Sequence, residues 1–367
     1  MLLFKGPRDQ ILTPLQSVCG IVEKRHTLPI LSNVLMEKNG ENLTLLATDI
    51  EIQIRTGTSA ASAENAALTV GARKLQDILR SLPDSAEVSL SLDDKRLQVK
   101  AGKSRFNLQT LPAEDFPRMS TADGQTVRIG VTQKQFKRLL ALVQYSMAQQ
   151  DIRYYLNGLL LVIDGAEMRV IATDGHRLAF ASEALPENMP RSEVILPRKT
   201  ILELSRQLAD NDEPLEIVLA PTQAQFRFGN IELVSKLIDG KFPDYERVIP
   251  QQHGKILQLP RDVLLHSLMR AAILTNEKFR GVRLVLSNDS LKILSTNAEQ
   301  EEAQEEIEVP YQGESLDVGF NVTYLLDVLN NVDVETIECR LADASSSALF
   351  KLPGIDRFKY VVMPMRI

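Results

Sequence analysis

Apolar and polar residues alternate through three separate stretches of the chain: LTLLATDIEIQIR at 43–55, EMRVIATDGHRLAFAS at 167–182 and SLKILSTNAEQEEAQEEI at 290–307. Period-two alternation broken by a polar turn predicts a pair of half-buried antiparallel strands in each. Their turn residues Asp49, Asp174 and Asn297 lie 125 and 123 positions apart. A second set follows at the same offsets: VGARKLQDILRSLP at 70–83, LPRKTILELSRQL at 196–208 and GFNVTYLLDVLNNV at 319–332, with Arg73, Arg198 and Asn321 aligned. Here Leu75, Ile78 and Leu79, or Ile201, Leu204 and Leu208, recur at helical spacing, which predicts short amphipathic helices. A third landmark is a proline near the end of each copy: Pro117 in FPRM, Pro243 in FPDYERV and Pro364 in VMPMRI.

Each copy also opens with a helical segment. Residues 132–148 and 260–275 show it clearly, and 7–22 less so, because Pro14 is expected to break or bend a helix there. One module thus reads helix, strands, helix, strands. The repeat is far longer than the roughly 20–50 residues of a solenoid turn, so the copies are expected to be tandem domains. Boundaries fall in ADGQTV at 122–127 and IPQQHGKI at 249–256, giving domains at 1–125, 126–252 and 253–367.

Composition narrows the class. With 44% hydrophobic and 25% charged residues the chain reads as a soluble globular protein with a well-packed core. No stretch is apolar enough to span a bilayer, and Lys5 interrupts any signal-peptide core, so no membrane association and a cytoplasmic location are expected. Cys19 and Cys339 lie far apart without metal-ligand spacing, so neither a metal nor any other cofactor is expected, and the compartment reads as reducing.

The net charge of −6 argues at first against a nucleic-acid partner. Its distribution reverses that reading. Helical segments at 8–25, 72–81, 132–148, 197–208, 260–280 and 321–331 would hold sixteen basic and seven acidic residues, leaving 26 basic and 41 acidic for everything else. Helices sharing one side would present Arg73, Lys74, Arg80, Lys134, Lys137, Arg138, Arg198, Lys199 and Arg206 to a polyanion, although solvated helix faces would carry similar charge. The segment QQDIRYYLNG adds Arg153, Tyr154 and Tyr155, a basic and aromatic cluster suited to backbone contact or base stacking.

An enzyme would have to use Asp49, Asp174 or His176 as acid and base, yet the third copy has Asn297 in the same place. Asp and Asn are interchangeable in turns but not as general bases, so no catalytic residue is assigned. No GxxxxGK[ST] phosphate loop occurs. A monomeric DNA-binding scaffold is the other alternative.

Several segments carry a family resemblance: RYYLNG at 153–158, ATDGHRLA at 172–179, PRK at 197–199, DGKFPDYERV at 239–248, NEKFRGVRL at 276–284, GFNVTYLLDVL at 319–329 and YVVMPMRI at 360–367. Together they resemble the bacterial DNA polymerase III beta subunits, the processivity clamps, from end to end. The resemblance implies an α+β fold of three tandem DNA-clamp domains, each with two helices packed on antiparallel sheets. It further implies a head-to-tail homodimer closing a ring, with helices lining the hole and sheets outside. Duplex DNA would be held without sequence reading by Arg25, Arg73, Lys74, Arg80, Gln150, Arg153, Tyr154, Tyr155, Arg198 and Lys199.

Ring closure would use Lys103, Arg105, Phe106 and Leu108 against Ile273, Leu274, Glu299, Glu301, Glu302 and Glu305, opposite charges around an apolar centre. Partners implied by the family are the polymerase III alpha subunit, the clamp-loader delta subunit and other proteins with a clamp-binding motif. Their peptides would enter a pocket formed by Leu156, Thr173, Gly175, His176, Arg177, Leu178, Pro243, Arg247, Val248, Asn321, Tyr324, Ser347, Val361, Val362, Met363, Pro364, Met365 and Arg366. A methionine-containing apolar cleft adapts to several short peptides. The sequence departs from the family at Ser345, where an apolar residue is usual, and in FKLPGIDRF at 350–358. The modules are also unequal: Arg198 and Lys199 of the second align with Asn321 and Val322 of the third.

Overall fold

The computed structural model describes residues 1–23, 28–60, 64–120, 124–251 and 254–367. Arg25 and parts of both expected domain boundaries (122–123 and 252–253) lie outside the described residues. The first module runs β1 (Leu2–Pro7), α1 (Arg8–Cys19), β2 (Asn33–Asn39), β3 (Asn42–Thr48), β4 (Ile52–Ser59) and β5 (Ala66–Gly71). It continues through α2 (Ala72–Ser81), β6 (Glu87–Asp93), β7 (Arg96–Ala101) and β8 (Ser104–Leu111). The second runs β9 (Val127–Thr132), α3 (Gln133–Val143), β10 (Gly158–Thr173), β11 (Arg177–Pro197), α4 (Arg198–Gln207), β12 (Pro214–Leu219), β13 (Gln223–Phe228) and β14 (Ile231–Lys236). A one-turn helix, α5 (Tyr245–Val248), follows. The third runs β15 (Lys255–Pro260), α6 (Arg261–Ala272), β16 (Gly281–Ser287), β17 (Ser290–Thr296), β18 (Glu302–Glu308) and β19 (Leu316–Asn321). It ends with α7 (Val322–Asn331), β20 (Thr336–Leu341), β21 (Ala348–Leu352) and β22 (Ile355–Val362).

The helices bury the stripes their spacing predicts. Phe136, Leu139, Leu140 and Val143 of α3 are buried, as are Leu75 and Leu79 of α2 and Leu325, Val328 and Leu329 of α7. Of the two outcomes expected at Pro14, a break or a bend, the break does not occur: α1 runs on through it. An interior proline costs about 3 kcal/mol. Burial of Ile11, Leu12, Leu15 and Val18, at roughly 1.5–3 kcal/mol each, outweighs it.

Three sequence-based expectations need correction. Helix α6 stops at Ala272 rather than 280: Ile273, Leu274 and Thr275 donate to carbonyls three residues back, and the Asn276 side chain accepts from the amides of Lys278 and Phe279. Helix α1 likewise stops at Cys19 rather than 25. With Lys278 and Arg280 outside α6, the six long helices hold twelve basic and five acidic residues, and the whole excess sits in α2 to α4. Helix α1 is charge-balanced, and α6 and α7 balance each other. Third, strand register equates Gly71, Pro197 and Asn321, which pair with Asn33, Gly158 and Gly281. Asn321 is therefore the residue before the helix, where its side chain caps α7 by accepting the Thr323 amide at 2.9 Å. The counterparts of Arg198 and Lys199 in the third module are Val322 and Thr323.

The three aligned turns share one construction. Asp49 Oδ1 accepts the amides of Glu51 and Ile52, Asp174 Oδ1 those of His176 and Arg177, and Asn297 Oδ1 those of Glu299 and Glu301. Any side-chain oxygen at that position serves, which is why Asp and Asn alternate there.

The chain divides into two compact units, Met1–Lys134 with Leu202–Leu237, and Gln135–Ile201 with Ile238–Ile367. The first holds one antiparallel sheet of twelve strands, ordered β1-β6-β7-β8-β5-β2-β3-β4-β14-β13-β12-β9. The second holds a six-stranded sheet, β10-β11-β22-β21-β20-β15, and a four-stranded one, β18-β17-β16-β19. The division cuts the second module because its strands join neighbours on both sides: β14 pairs with β4, and β11 with β22. The two joints share a register. Ser235 faces Ile52, the third residue after Asp49, and Val362 faces Arg177, the third after Asp174. The Glu51 carbonyl accepts the Lys236 amide, and the His176 carbonyl accepts the Met363 amide, both at 2.9 Å.

Candidate peptide pocket, DNA surface and closing edges

The second joint organises the expected pocket residues. Leu178 faces Val361 across β11 and β22, and Arg177 faces Val362. Leu178 and Val361 join Leu160, Phe180, Phe242, Ile249 and Leu349 in one buried apolar cluster. That cluster ties the segment carrying Pro243, Arg247 and Val248, all exposed, to the two strands. Ser347 precedes Ala348, which faces Val362. Of the expected pocket residues, Leu156, Leu178, Val361 and Val362 are almost fully buried, His176, Val248 and Met363 are exposed, and Tyr324, Ser347, Pro364 and Met365 are half-buried.

Thr173 and Arg177 brace the turn that carries His176. The Thr173 hydroxyl donates to the Arg177 carbonyl at 2.6 Å and accepts the Gly175 amide, as Thr48 does for Ile52 and Ile50 in the first module. The Arg177 side chain is only 9% exposed. Its guanidinium donates to Asp174, to Asp327 and to the Tyr145 carbonyl, and lies 4.4 Å from the centre of the Tyr324 ring. Burial works against the cation, but Tyr360, Asp327 and Asp174 hold its pKa above the ordinary arginine value. Burial likewise pushes the hydroxyls of Tyr145 and Tyr360 upward. The Tyr360 hydroxyl donates to the Tyr324 carbonyl at 2.9 Å. Nothing in the local pattern around Asp327, Tyr145 or Tyr360 signals these partners, which lie 150, 32 and 36 residues away.

Asp343 accepts from the Ser345 hydroxyl and amide and from the Ser346 hydroxyl, which hold its carboxyl down to about 2. Ser345 thus closes its own loop. The turn preceding Gly281 also reaches the site, since the Arg280 carbonyl accepts the Val322 amide. It carries Phe279, 58% exposed, an aromatic that the sequence reading quoted within a motif but did not assign.

The residues expected to meet DNA fall in two groups. In the first unit, Arg73 donates to the Val22 carbonyl and Arg206 to the Ser17 carbonyl, at the end of α1, where cations complement the helix dipole. Lys74 and Arg80 are exposed on α2. Arg73, Arg80 and Arg206 surround Cys19, whose thiol burial nonetheless pushes up to about 12. In the second unit, Arg198 donates to the Met147 carbonyl at 3.1 Å and its amide to the Asn157 carbonyl, which sets the half-buried Lys199 and the start of α4 beside the 147–157 segment. There Gln150 has a φ of 58° and is exposed, Tyr154 is 58% exposed, and its ring centre is 5.9 Å from that of Tyr155. Arg153 is held by Asp151, whose carboxyl that contact and the Arg153 amide lower to about 2. Arg153 also donates to the Asp174 carbonyl, so this segment touches the pocket turn.

Of the expected closing residues, Arg105, Phe106 and Leu108 lie on β8 and Glu302 and Glu305 on β18, and the others lie in the adjoining turns or just beyond α6. Lys103 and Arg105 are exposed and Phe106 and Leu108 half-buried. Residues 104–109 pair only with β7, and β18 pairs only with β17, among the described residues. Ile273 is 76% exposed and Leu274 half-buried just beyond α6. Glu299, Glu301 and Glu302 are exposed, whereas Glu305 accepts from Arg270 at 2.9 Å, which lowers its pKa. Among the described residues no helix is long and apolar enough to cross a membrane, and no acidic, histidine or cysteine cluster could hold a metal.

Comparison with known proteins identifies the family. The N-terminal, central and C-terminal domains of the DNA polymerase III beta subunit match residues 2–120, 130–244 and 246–366. The chain is 48% identical over 366 residues to the beta sliding clamp of Pseudomonas putida, covering 99% of this chain and all of that one. It is 44% identical over 365 residues to the beta sliding clamp of Escherichia coli K12, with the same coverage. A crystal structure of the Pseudomonas aeruginosa sliding clamp bound to griselimycin superposes over the full length of both chains with a TM-score of 0.96 at 46% identity. Three family domains in order, on relatives matched from end to end, place this chain in the bacterial DNA polymerase III beta subunit family, the beta sliding clamps.

Proposed function

We propose that two copies of the chain close head to tail into a ring that encircles duplex DNA and tethers replication proteins through the pocket at the β11–β22 joint. The observation that carries this reading is the unfinished third joint. Two of three equivalent strand joints form within the chain, in one register, while β18 and β8 offer the two halves of a third as open edges. Exposed edges of this kind invite pairing with another chain. A joint between unlike surfaces repeats from copy to copy and closes when the rotation permits. Pairing in the register of the first two joints sets Lys103 and Arg105 along the acidic stretch of β18, with Phe106, Leu108, Ile273 and Leu274 at its apolar centre.

Three domains, at 1–125, 126–252 and 253–367, supply the repeat. Basic groups on α2 to α4, with Gln150 to Tyr155, meet phosphates through contacts that position without reading sequence. The protein is a non-catalytic processivity factor. The polymerase alpha subunit and the clamp-loader delta subunit are the proposed peptide partners, and the cytoplasm the proposed location.

The test is topological. Loaded by a clamp loader with ATP, the protein should stay on nicked circular DNA through gel filtration and be lost once that DNA is cut to a linear form. Equal retention on both forms would establish an ordinary DNA binder instead.

A further inference from the structure

After its last strand, each module crosses back onto the strand that leads into its second helix. Thr69 faces Leu111 in the first module, Ile195 faces Ile238 in the second, and Gly319 faces Met365 in the third. The bond is the same in the last two: the Ile238 amide reaches the Ile195 carbonyl and the Met365 amide the Gly319 carbonyl, both at 2.9 Å. On the neighbouring strand, diagonally across, Asn33, Gly158 and Gly281 face the residues two positions further along, Gly71, Pro197 and Asn321. The third module alone of these has glycine at both places.

Conformation does not demand these glycines, since neither Gly281 nor Gly319 has a positive φ. Space does. A Cβ on Gly319 would lie 2.5 Å from the Met365 carbonyl oxygen and 2.7 Å from Cδ1 of Ile367, and one on Gly281 would lie 3.0 Å from the same Cδ1. Met365 and Ile367 therefore lie on bare backbone.

We infer that Gly281 and Gly319 form a docking floor for Met365 to Ile367, and that this docking holds the Met363–Met365 rim in place for a partner peptide. Met363 is tied at one end by its amide to the His176 carbonyl, and Met365 at the other by its amide to Gly319. Between them stands only Pro364, whose ring fixes φ. With both anchors closed the rim has one shape, and with the second released it has many. Gly319 and Ile367 are thus positioning residues: they act on the peptide through the rim. This inference rests on the pocket reading above.

The test uses the full-length dimer and a fluorescein-labelled peptide carrying the clamp-binding segment of a polymerase III alpha subunit. If Gly319→Ala cuts the docked population to about a tenth, the apparent Kd rises about tenfold. Ile367→Ala, at a side chain 60% exposed and so harmless to folding, should raise it about two- to threefold. Both act through one anchor, so the double variant should be no weaker than Gly319→Ala alone. Hydrogen exchange at the Met365 amide should accelerate in Gly319→Ala while the thermal midpoint and dimer mass stay at wild-type values. Wild-type peptide affinity in both single variants, or an unchanged Met365 amide in Gly319→Ala, overturns the inference alone. Failure of the wild-type protein to bind the peptide overturns the pocket reading and the inference with it.

Discussion

The turn at Thr48–Ile52 and the turn at Thr173–Arg177 are built alike and used differently. Both close on an aspartate side chain, both are braced by a threonine hydroxyl, and both lend a carbonyl to a strand that follows much later in the chain. They part at three residues, Glu51 standing where the second turn has the exposed His176. Ile50 takes a φ of 79° where Gly175 takes 89°, and buried apolar Ile52 stands where Arg177 is caged by Asp174, Asp327 and Tyr324. The repeat supplies a scaffold that joins one module to the next. Function is added by a few substitutions on it.

The largest effect should come from the caged arginine. Arg177→Ala leaves two carboxylates without their cation and should destabilise the protein by about 3 kcal/mol, read from urea unfolding, while abolishing peptide binding. Ile52→Ala at the matching site should cost a similar amount, about 2–4 kcal/mol, and leave peptide affinity at the wild-type value. Loss of peptide binding in both would erase the distinction between the two turns.

Gly175→Ala should cost about 1–2 kcal/mol, because an L-residue is strained at positive φ, and its Cβ would sit 2.8 Å from the Arg153 guanidinium. Ile50→Gly relieves the same strain but loosens the unfolded chain, so its net change should stay within about 1 kcal/mol. The two midpoints from one thermal series decide the matter.

Acid should separate the second turn's support from the first. Asp151, held at about 2 by Arg153, keeps that contact fully above its ordinary value near 3.8 and loses it only as the pH falls through about 2. The Asp151 carboxyl resonance followed by NMR from pH 6 downward should therefore titrate near 2. A midpoint near 4 would show that the Arg153 contact is not formed in solution. The smallest effect is expected from Asp49→Asn, within about 0.5 kcal/mol, because the turn needs an oxygen and not a charge. A larger loss would reopen a role for the carboxylate.

The scaffold was legible in the sequence because it repeats. Alternation gave the paired strands, helical spacing gave α2, α3, α4 and α7, and the interchange of Asp and Asn marked turns before any coordinates. Helix ends were not legible, because side-chain capping by Asn276 and tightening after Ala272 leave the apolar period intact. One-residue alignment also failed: Asn321 looks like a partner of Arg198 in spacing, and only strand register shows it to be a cap. The expected pocket residues could be named by resemblance, but the contacts of Asp327, Tyr145 and Tyr360 with Arg177 and Tyr324, and of Gly281 and Gly319 with Met365 and Ile367, are made across the fold.

The central claim is that the open edges β8 and β18 meet between copies. Sedimentation equilibrium at micromolar concentration tests it most directly. The account predicts a mass of twice the 41.0 kDa chain for the wild-type protein and a single-chain mass for the double variant Phe106→Asp, Leu108→Asp. A monomeric wild-type protein, or a variant that remains dimeric, would contradict it.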